Sequence, residues 1–280
     1  MLQKKYMIRC DIEGVSGVVS YTQAEPGKAE YEFGRRMFKA DLMAVIEGLM
    51  SGGAEEIVVY DEHYYGRNID PAWLPRGVTA ICGKPPYRAD WPGGLDETFD
   101  GVVLLGFHSK AETPGGLLPH TYELDIRDLR LNGISVGEIG MEAAIAGDLD
   151  VATLLVVADS AGAAEAKALL PGVSVVAVKE AHGESGASCY PLSETTACVR
   201  VASEEIVINP PRVRPYRVET PVEFEVELNE GPYLDSFRRL NADDMRDERT
   251  FLISANSATA AWADYWQRKL RAQSEMEQDS

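Results

Sequence analysis

Cysteine is scarce in this chain. Only Cys10, Cys82, Cys189 and Cys198 occur, and no two of them form a C-x-x-C pair. That excludes a disulfide-built scaffold, which a chain of 280 residues does not need. It also excludes a thiolate zinc knot and leaves free thiols in a reducing compartment as the expectation. Basic residues are outnumbered: 27 Lys and Arg face 45 Asp and Glu, for a net charge of -18. Such a balance argues against nucleic acid and against an anionic membrane surface as partners. No apolar run approaches the roughly 20 residues of a membrane-spanning helix. Lys4 and Lys5 stand near the start, but no apolar core of a signal peptide follows before Asp11, so the cytoplasm is the expected location. Internal repeats, low-complexity blocks and a phosphate-cradling P-loop are missing too. Histidine is as rare as cysteine, with His63, His108, His120 and His182 making the full set of 4.

What is present is an ordinary globular composition, 45% hydrophobic and 26% charged, enough to bury a sizeable core. Short apolar runs alternate with helical periodicities. Strands are predicted at about 6–11, 56–60, 78–82, 99–107, 151–157 and 173–178. Helices are predicted at about 30–50, 138–147, 161–170 and 193–208. Asn132-Gly133 between two alternating segments predicts a hairpin. Pro210, Pro211, Pro215 and Pro221 mark a break, followed by a strand at 222–228, a helix at 233–240, a strand at 250–254 and a helix at 257–271. The tail after Gln273 is expected to lack fixed structure. The expected fold class is α/β: a mostly parallel sheet covered by helices on both faces, with an inserted hairpin and a smaller C-terminal α+β part. The expected division is 1–209 for the catalytic domain and 210–280 for the smaller part, a candidate for oligomerisation.

Two stretches stand out. Met7-Ile-Arg-Cys-Asp11-Ile-Glu13 and Ile57-Val-Val-Tyr-Asp61-Glu-His63 are apolar runs that end abruptly in acids and imidazole. In extended chain, residues i and i+2 point the same way, so Asp11 with Glu13, and Asp61 with His63, can each aim at one spot. The run ending at Phe107 is followed by His108. Ligands of parallel sheets gather beyond the carboxyl ends of the strands. Carboxylate with imidazole suits zinc, and also manganese or iron. Two carboxylates and two imidazoles exceed a common one-metal site, and a bridging carboxylate would let two metals sit roughly 3.5–4 Å apart. Each residue alone also has a plain reading. Glu13 fits a turn acid, Glu138 a helix N-terminus, His120 a loop position and Asp159 a helix cap. Lys179 and His182 fit surface roles.

In combination, several strings resemble the zinc-dependent D-aminopeptidase family of the DppA type. They are Asp11-Ile-Glu13-Gly-Val-Ser-Gly, Tyr31-Glu-Phe-Gly-Arg-Arg, Asp61-Glu-His63, Asp96-Glu-Thr-Phe-Asp-Gly, Leu105-Gly-Phe-His108, Thr113-Pro-Gly and Val136-Gly-Glu138-Ile-Gly. The likeness covers about the first 180 residues in order and spacing, and the C-terminal third only in its pattern of elements. It implies an aminopeptidase that hydrolyses short peptides with an N-terminal D-amino acid, using a metal-activated water at a dinuclear site. It implies two zinc ions per subunit, with other divalent metals open. Asp11 matches the bridging aspartate, Glu13, His63, His108 and Glu138 match the other ligands, and His120 matches the catalytic histidine. Ring-shaped homo-oligomers are a family property, with a decamer the form to look for. By inference from position, Asp61 and Asp159 are expected behind the ligands, orienting imidazoles or water. Lys179 is a candidate for pairing with a peptide carboxylate. The competing readings are another two-metal hydrolase, an amidase or phosphoesterase, and a non-catalytic metal-stabilised assembly protein.

Overall fold

The computed structural model describes residues 4–85 and 87–279. In chain order the strands are β1 (Lys5–Cys10), β2 (Glu56–Asp61), β3 (Val78–Ile81), β4 (Gly101–Phe107), β5 (Ile126–Leu131), β6 (Ile134–Val136), β7 (Thr153–Ala158), β8 (Ser174–Ala177), β9 (Lys179–Ala181), β10 (Ala187–Cys189), β11 (Val222–Leu228) and β12 (Thr250–Ala255). The α-helices are α1 (Tyr21–Ala24), α2 (Tyr31–Ser51), α3 (Glu138–Asp148), α4 (Ser160–Leu169), α5 (Leu192–Ile208), α6 (Pro232–Leu240) and α7 (Ala258–Asp279).

The main sheet has six strands in the order β3-β2-β1-β4-β7-β8. Every pairing in it is parallel. β1, at its centre, is buried along nearly its whole length, as an interior parallel strand must be. Its alternation splits the core. Tyr6, Ile8 and Cys10 face α2 and α5, packing with Phe38, Leu42, Val199 and Ile206. Met7 faces the opposite side, with Val102, Leu104 and Phe107 of β4, Ile139 and Ala143 of α3 and Ala166 of α4. The sheet is therefore covered by helices on both faces, and the fold is α/β as the sequence pattern predicts.

A second sheet of four strands runs β12-β11-β5-β6. Its pairings are antiparallel. The hairpin predicted at Asn132-Gly133 is β5-β6, but it does not extend the main sheet. It pairs with β11 from beyond the proline-rich break, so the second sheet draws strands from both sides of position 209. Phe224, Phe251, Phe237, Trp262 and Tyr265 fill the core under this sheet. α3 belongs to both cores: Ile139, Ala143 and Ala146 enter the first, Met141, Ala144 and Ile145 the second. A helix apolar on all sides is a buried one, and α3 is buried at every residue from Glu138 to Gly147.

Two local expectations are corrected. The segment after Gln273 is helical, since α7 continues to Asp279, and residue 280 lies outside the described residues. The short α1, inside what reads as a loop, is capped by the Ser20 side chain accepting from the Thr22 N–H, a local signal too brief to show as periodicity.

Candidate metal centre

The site lies where β2, β1 and β4 end side by side. Cys10 is level with Asp61 and with Leu105 in the parallel registers. The next residues out, Asp11 and Glu13 after β1, His63 after β2 and His108 after β4, leave the sheet at one rim. Hydrogen bonds pin that rim: the Asp11 N–H donates to the Leu105 carbonyl at 2.8 Å and the Gly14 N–H to the Gly106 carbonyl at 2.6 Å. Glu138 arrives from the first turn of α3, and His120 from the loop between β4 and β5.

These side chains form two groups of closely spaced donor atoms, Asp11, Glu13 and His63 in one and His108, His120 and Glu138 in the other, each within 4.8 Å. Asp11 joins them. Its Oδ1 lies 2.7 Å from His63 Nδ1, and its Oδ2 lies 3.3 Å from His108 Nε2. His63 Nδ1 is also 3.2 Å from Glu13 Oε2. His108 Nε2 is 3.3 Å from Glu138 Oε1, and His120 Nε2 is 3.9 Å from the same oxygen. The rings of His108 and His120 stack at 4.1 Å.

All three imidazoles are tethered by the nitrogen that faces away. His63 Nε2 donates to the Ala24 carbonyl at 2.9 Å, His108 Nδ1 to the Ser109 carbonyl at 3.0 Å, and His120 Nδ1 to the Leu118 carbonyl at 3.0 Å. A carbonyl only accepts, so one proton is fixed there and the opposite nitrogen faces the carboxylates, through a second proton or, with that proton displaced, through a lone pair offered to a cation. This is the arrangement of metal-binding histidine. Two of the inward atoms, Glu13 Oε2 and His108 Nε2, are buried without an aligned hydrogen bond. Ionised side chains buried this densely need cations or protons to persist. Burial opposes charge on His63 and His108, yet the Glu13 and Glu138 carboxylates, helped by Asp11, raise both pKa values well above the ordinary imidazole value. Asp11 is held well below the usual carboxylate range despite its burial, by the His108 and His63 imidazoles that face its two oxygens. Divalent cations would take the place of those protons, so the donor set fits zinc-type metals.

The two residues expected behind the ligands, and the lysine expected to meet substrate, are placed differently. Asp61 touches no imidazole. It accepts from the Asn68 and Ile69 N–H groups, and Asn68 Nδ2 bridges Asp61 Oδ1 and the His63 carbonyl, so Asp61 fixes the turn that carries His63. Asp159 caps α4, accepting from Ala161 and Gly162. Lys179 is 0% exposed, so the idea that it pairs with a peptide carboxylate is corrected. Its Nζ donates at 2.6 Å to the carbonyls of both Glu13 and Val15, bracing the ligand loop from behind. Its ammonium is desolvated there, and the pKa falls to about 8. Lys179→Met should destabilise the protein by about 1–3 kcal/mol, because it strands two buried carbonyls. Urea denaturation of the metal-depleted protein checks this; an unchanged midpoint would remove the bracing role. His182 is exposed on the β9-β10 hairpin, bonds Ser188 and belongs to neither group of donor atoms.

Arg9, Glu62, Tyr122 and Glu142 also crowd this rim and do not emerge from the sequence pattern. The signals that could have found them are an arginine inside the apolar run of β1 and a second glutamate one helical turn after Glu138, among small apolar residues.

Comparison with known proteins agrees with the geometry. The profile of the D-aminopeptidase family matches residues 5–264. A D-aminopeptidase of Bacillus subtilis (strain 168) is 34% identical over 187 residues, covering 66% of this chain and 67% of the relative. The solved structure of the Zn-dependent D-aminopeptidase DppA from Bacillus subtilis, described as a self-compartmentalizing protease, aligns with a TM-score of 0.89 at 26% identity. That alignment covers 97% of this chain and 98% of the other. With its ligand-type residues gathered at the rim of a parallel sheet and its sequence matched from β1 into α7, the chain belongs to the D-aminopeptidase family.

Proposed function

We propose that this chain is a zinc-dependent aminopeptidase that hydrolyses short peptides bearing an N-terminal D-amino acid at a dinuclear site. The observation that carries this reading is Asp11, whose two oxygens face two separate groups of donor atoms. Glu13 and His63 would hold one cation, His108 and Glu138 the other, and Asp11 would span both. When bound, the cations supply Lewis acidity, polarising the scissile carbonyl and making water nucleophilic near neutral pH.

The chain's own residues do the rest. The Leu118 carbonyl keeps a proton on His120 Nδ1, so Nε2 is free to accept one and pass it to the leaving amine. Tyr21 meets the His120 ring edge-on at 5.7 Å and limits its rotation. His120→Ala should lower kcat by about 10²–10⁴-fold while both zinc ions stay bound. Loss of a cation together with activity would make His120 a ligand instead. The reading as a whole is tested by zinc analysis and a panel of L- and D-aminoacyl peptides, with a phosphodiester beside them. Two zinc ions per chain and a preference for D-residues are expected. Hydrolysis of the phosphodiester alone would replace the reading with a phosphoesterase.

The self-compartmentalizing description of the Bacillus structure supports a homo-oligomer here. The proposed form is a ring, specifically a decamer, in the cytoplasm. Residues 1–209 would supply the metal-binding part and 210–280 the assembly part. Leu240 and Leu270, large apolar side chains exposed on α6 and α7, support that division. Sedimentation velocity of the purified protein tests it. Among the described residues no helix is long and apolar enough to cross a membrane.

A further inference from the structure

Arg9 is the largest fully buried side chain among the described residues, and it is charged. The alternation of β1 puts it on the face covered by α3, two residues before Asp11. Its guanidinium pairs with Glu142 through Nη1 and approaches Glu62 Oε1 at 3.4 Å, and Nη2 donates to the Pro92 carbonyl at 2.6 Å. Glu142 lies one helical turn after Glu138, so both carboxylates share a face of α3. Tyr122 grips them both: its O–H donates to Glu142 Oε1 at 2.6 Å and its N–H to Glu138 Oε1 at 2.6 Å. To do so it takes a backbone conformation with φ of 57°, costly for a residue with a side chain. Its ring is backed by Trp262 of α7 at 4.3 Å.

We propose that Arg9, Glu142 and Tyr122 are positioning residues that preset Glu138 for its cation. The chain of contacts links α3 to three other segments that build the site. Arg9 belongs to the strand that leads to Asp11, Glu62 precedes His63, and Tyr122 follows closely on His120. Two glutamates a turn apart repel unless one is neutralised, and Arg9 neutralises Glu142. Glu142 then orients the Tyr122 ring, which sets the backbone N–H that holds Glu138 Oε1. A buried ion pair is weak support for stability, and well-packed apolar residues can replace it. The return on this one is geometric. The proposal rests on the dinuclear reading above, because Glu138 matters here as a ligand.

The test uses two variants, Tyr122→Phe and the double replacement Arg9→Met with Glu142→Leu. The second removes the tighter pair together, so Glu142 is not left buried without a counter-charge, and Glu62 at the margin still has Lys84 nearby. Metal-depleted proteins are titrated with zinc against a chromophoric chelator, and melting is followed without metal. Both variants are expected to melt cooperatively near the wild type, yet to bind one of the two zinc ions at least about tenfold more weakly, the penalty usual for groups that orient a ligand. kcat should fall with KM nearly unchanged. Wild-type zinc affinity and wild-type kcat in both variants would overturn the proposal and leave the network a packing feature. A wild-type protein that binds no zinc pair would instead overturn the dinuclear reading, and the two failures are separable because the wild type is titrated in parallel.

Discussion

Asp11→Ala is expected to empty both halves of the metal centre at once. Its two carboxylate oxygens divide between the groups of donor atoms, since Asp11 Oδ1 meets His63 at 2.7 Å and Oδ2 meets His108 at 3.3 Å. Without it, His63 keeps only Glu13, and His108 keeps Glu138 and the stacked His120. Neither remainder closes the four-coordinate shell that zinc prefers. Turnover of a D-alanyl anilide should drop beyond the roughly 10²–10³-fold lost with a single electrostatic donor. The Asp11 N–H bond to the Leu105 carbonyl survives the change, and the one backbone bond lost is that of the Ile12 N–H to Oδ1 at 2.9 Å. The variant should therefore fold. A second readout follows from linkage: a bound cation raises the melting temperature of the native state. Chelation should lower the wild-type melting temperature and leave Asp11→Ala unmoved. A variant that keeps its full zinc content and turns over normally would refute the bridging role and with it the dinuclear site.

The rim of ligands is legible in the sequence because each strand announces its own end. A buried parallel strand reads as an unbroken apolar run, so an acid or imidazole just beyond it is conspicuous, as at Asp11, His63 and His108. The order of those strands in the sheet is not legible. That β2, β1 and β4 are neighbours follows from crossovers that local patterns do not encode. The same limit hides the partner of the hairpin. The Asn132-Gly133 turn specifies that β5 and β6 pair, while pairing with β11 depends on an apolar face completed by residues far down the chain. Lys179 misleads for a related reason. A lysine after a strand usually reaches solvent, and here two backbone carbonyls 2.6 Å away hold it inside. Arg9 and Glu142 are each improbable in a core and acceptable only as a pair, and no local pattern reveals a pairing between a strand and a helix so far apart.

The closeness of β1 and β4 leads to the second large effect, which falls on stability and metal together. Gly106→Ala is expected to be among the most damaging small substitutions in the chain. Gly106 has φ of +78°, and a Cβ there would lie 2.0 Å from the Asp11 carbonyl oxygen. Across the gap, a Cβ on Gly14 would meet the Phe107 carbonyl oxygen at 1.8 Å. The two backbones therefore touch where the ligand loop leaves the sheet, and the Gly14 N–H bonds the Gly106 carbonyl at 2.6 Å. Left-handed backbone costs a non-glycine residue about 1–2 kcal/mol, and overpacking adds roughly 1–3 kcal/mol. The sum is a large share of the roughly 5–15 kcal/mol typical of a whole domain. Relief can come only by pushing Asp11 outward, so the surviving folded protein should also bind zinc weakly. Gly133→Ala separates the two costs, because Gly133 has φ of +79° and nothing lies within 4 Å of where its added Cβ would stand. It carries the conformational strain without the collision, so it should lose only about 1–2 kcal/mol and keep its zinc. Urea denaturation and metal analysis of both variants decide the matter. Equal losses of stability with zinc retained in each would mean that the strand ends can part freely, and that the ligand loop is not held by the close contact between β1 and β4.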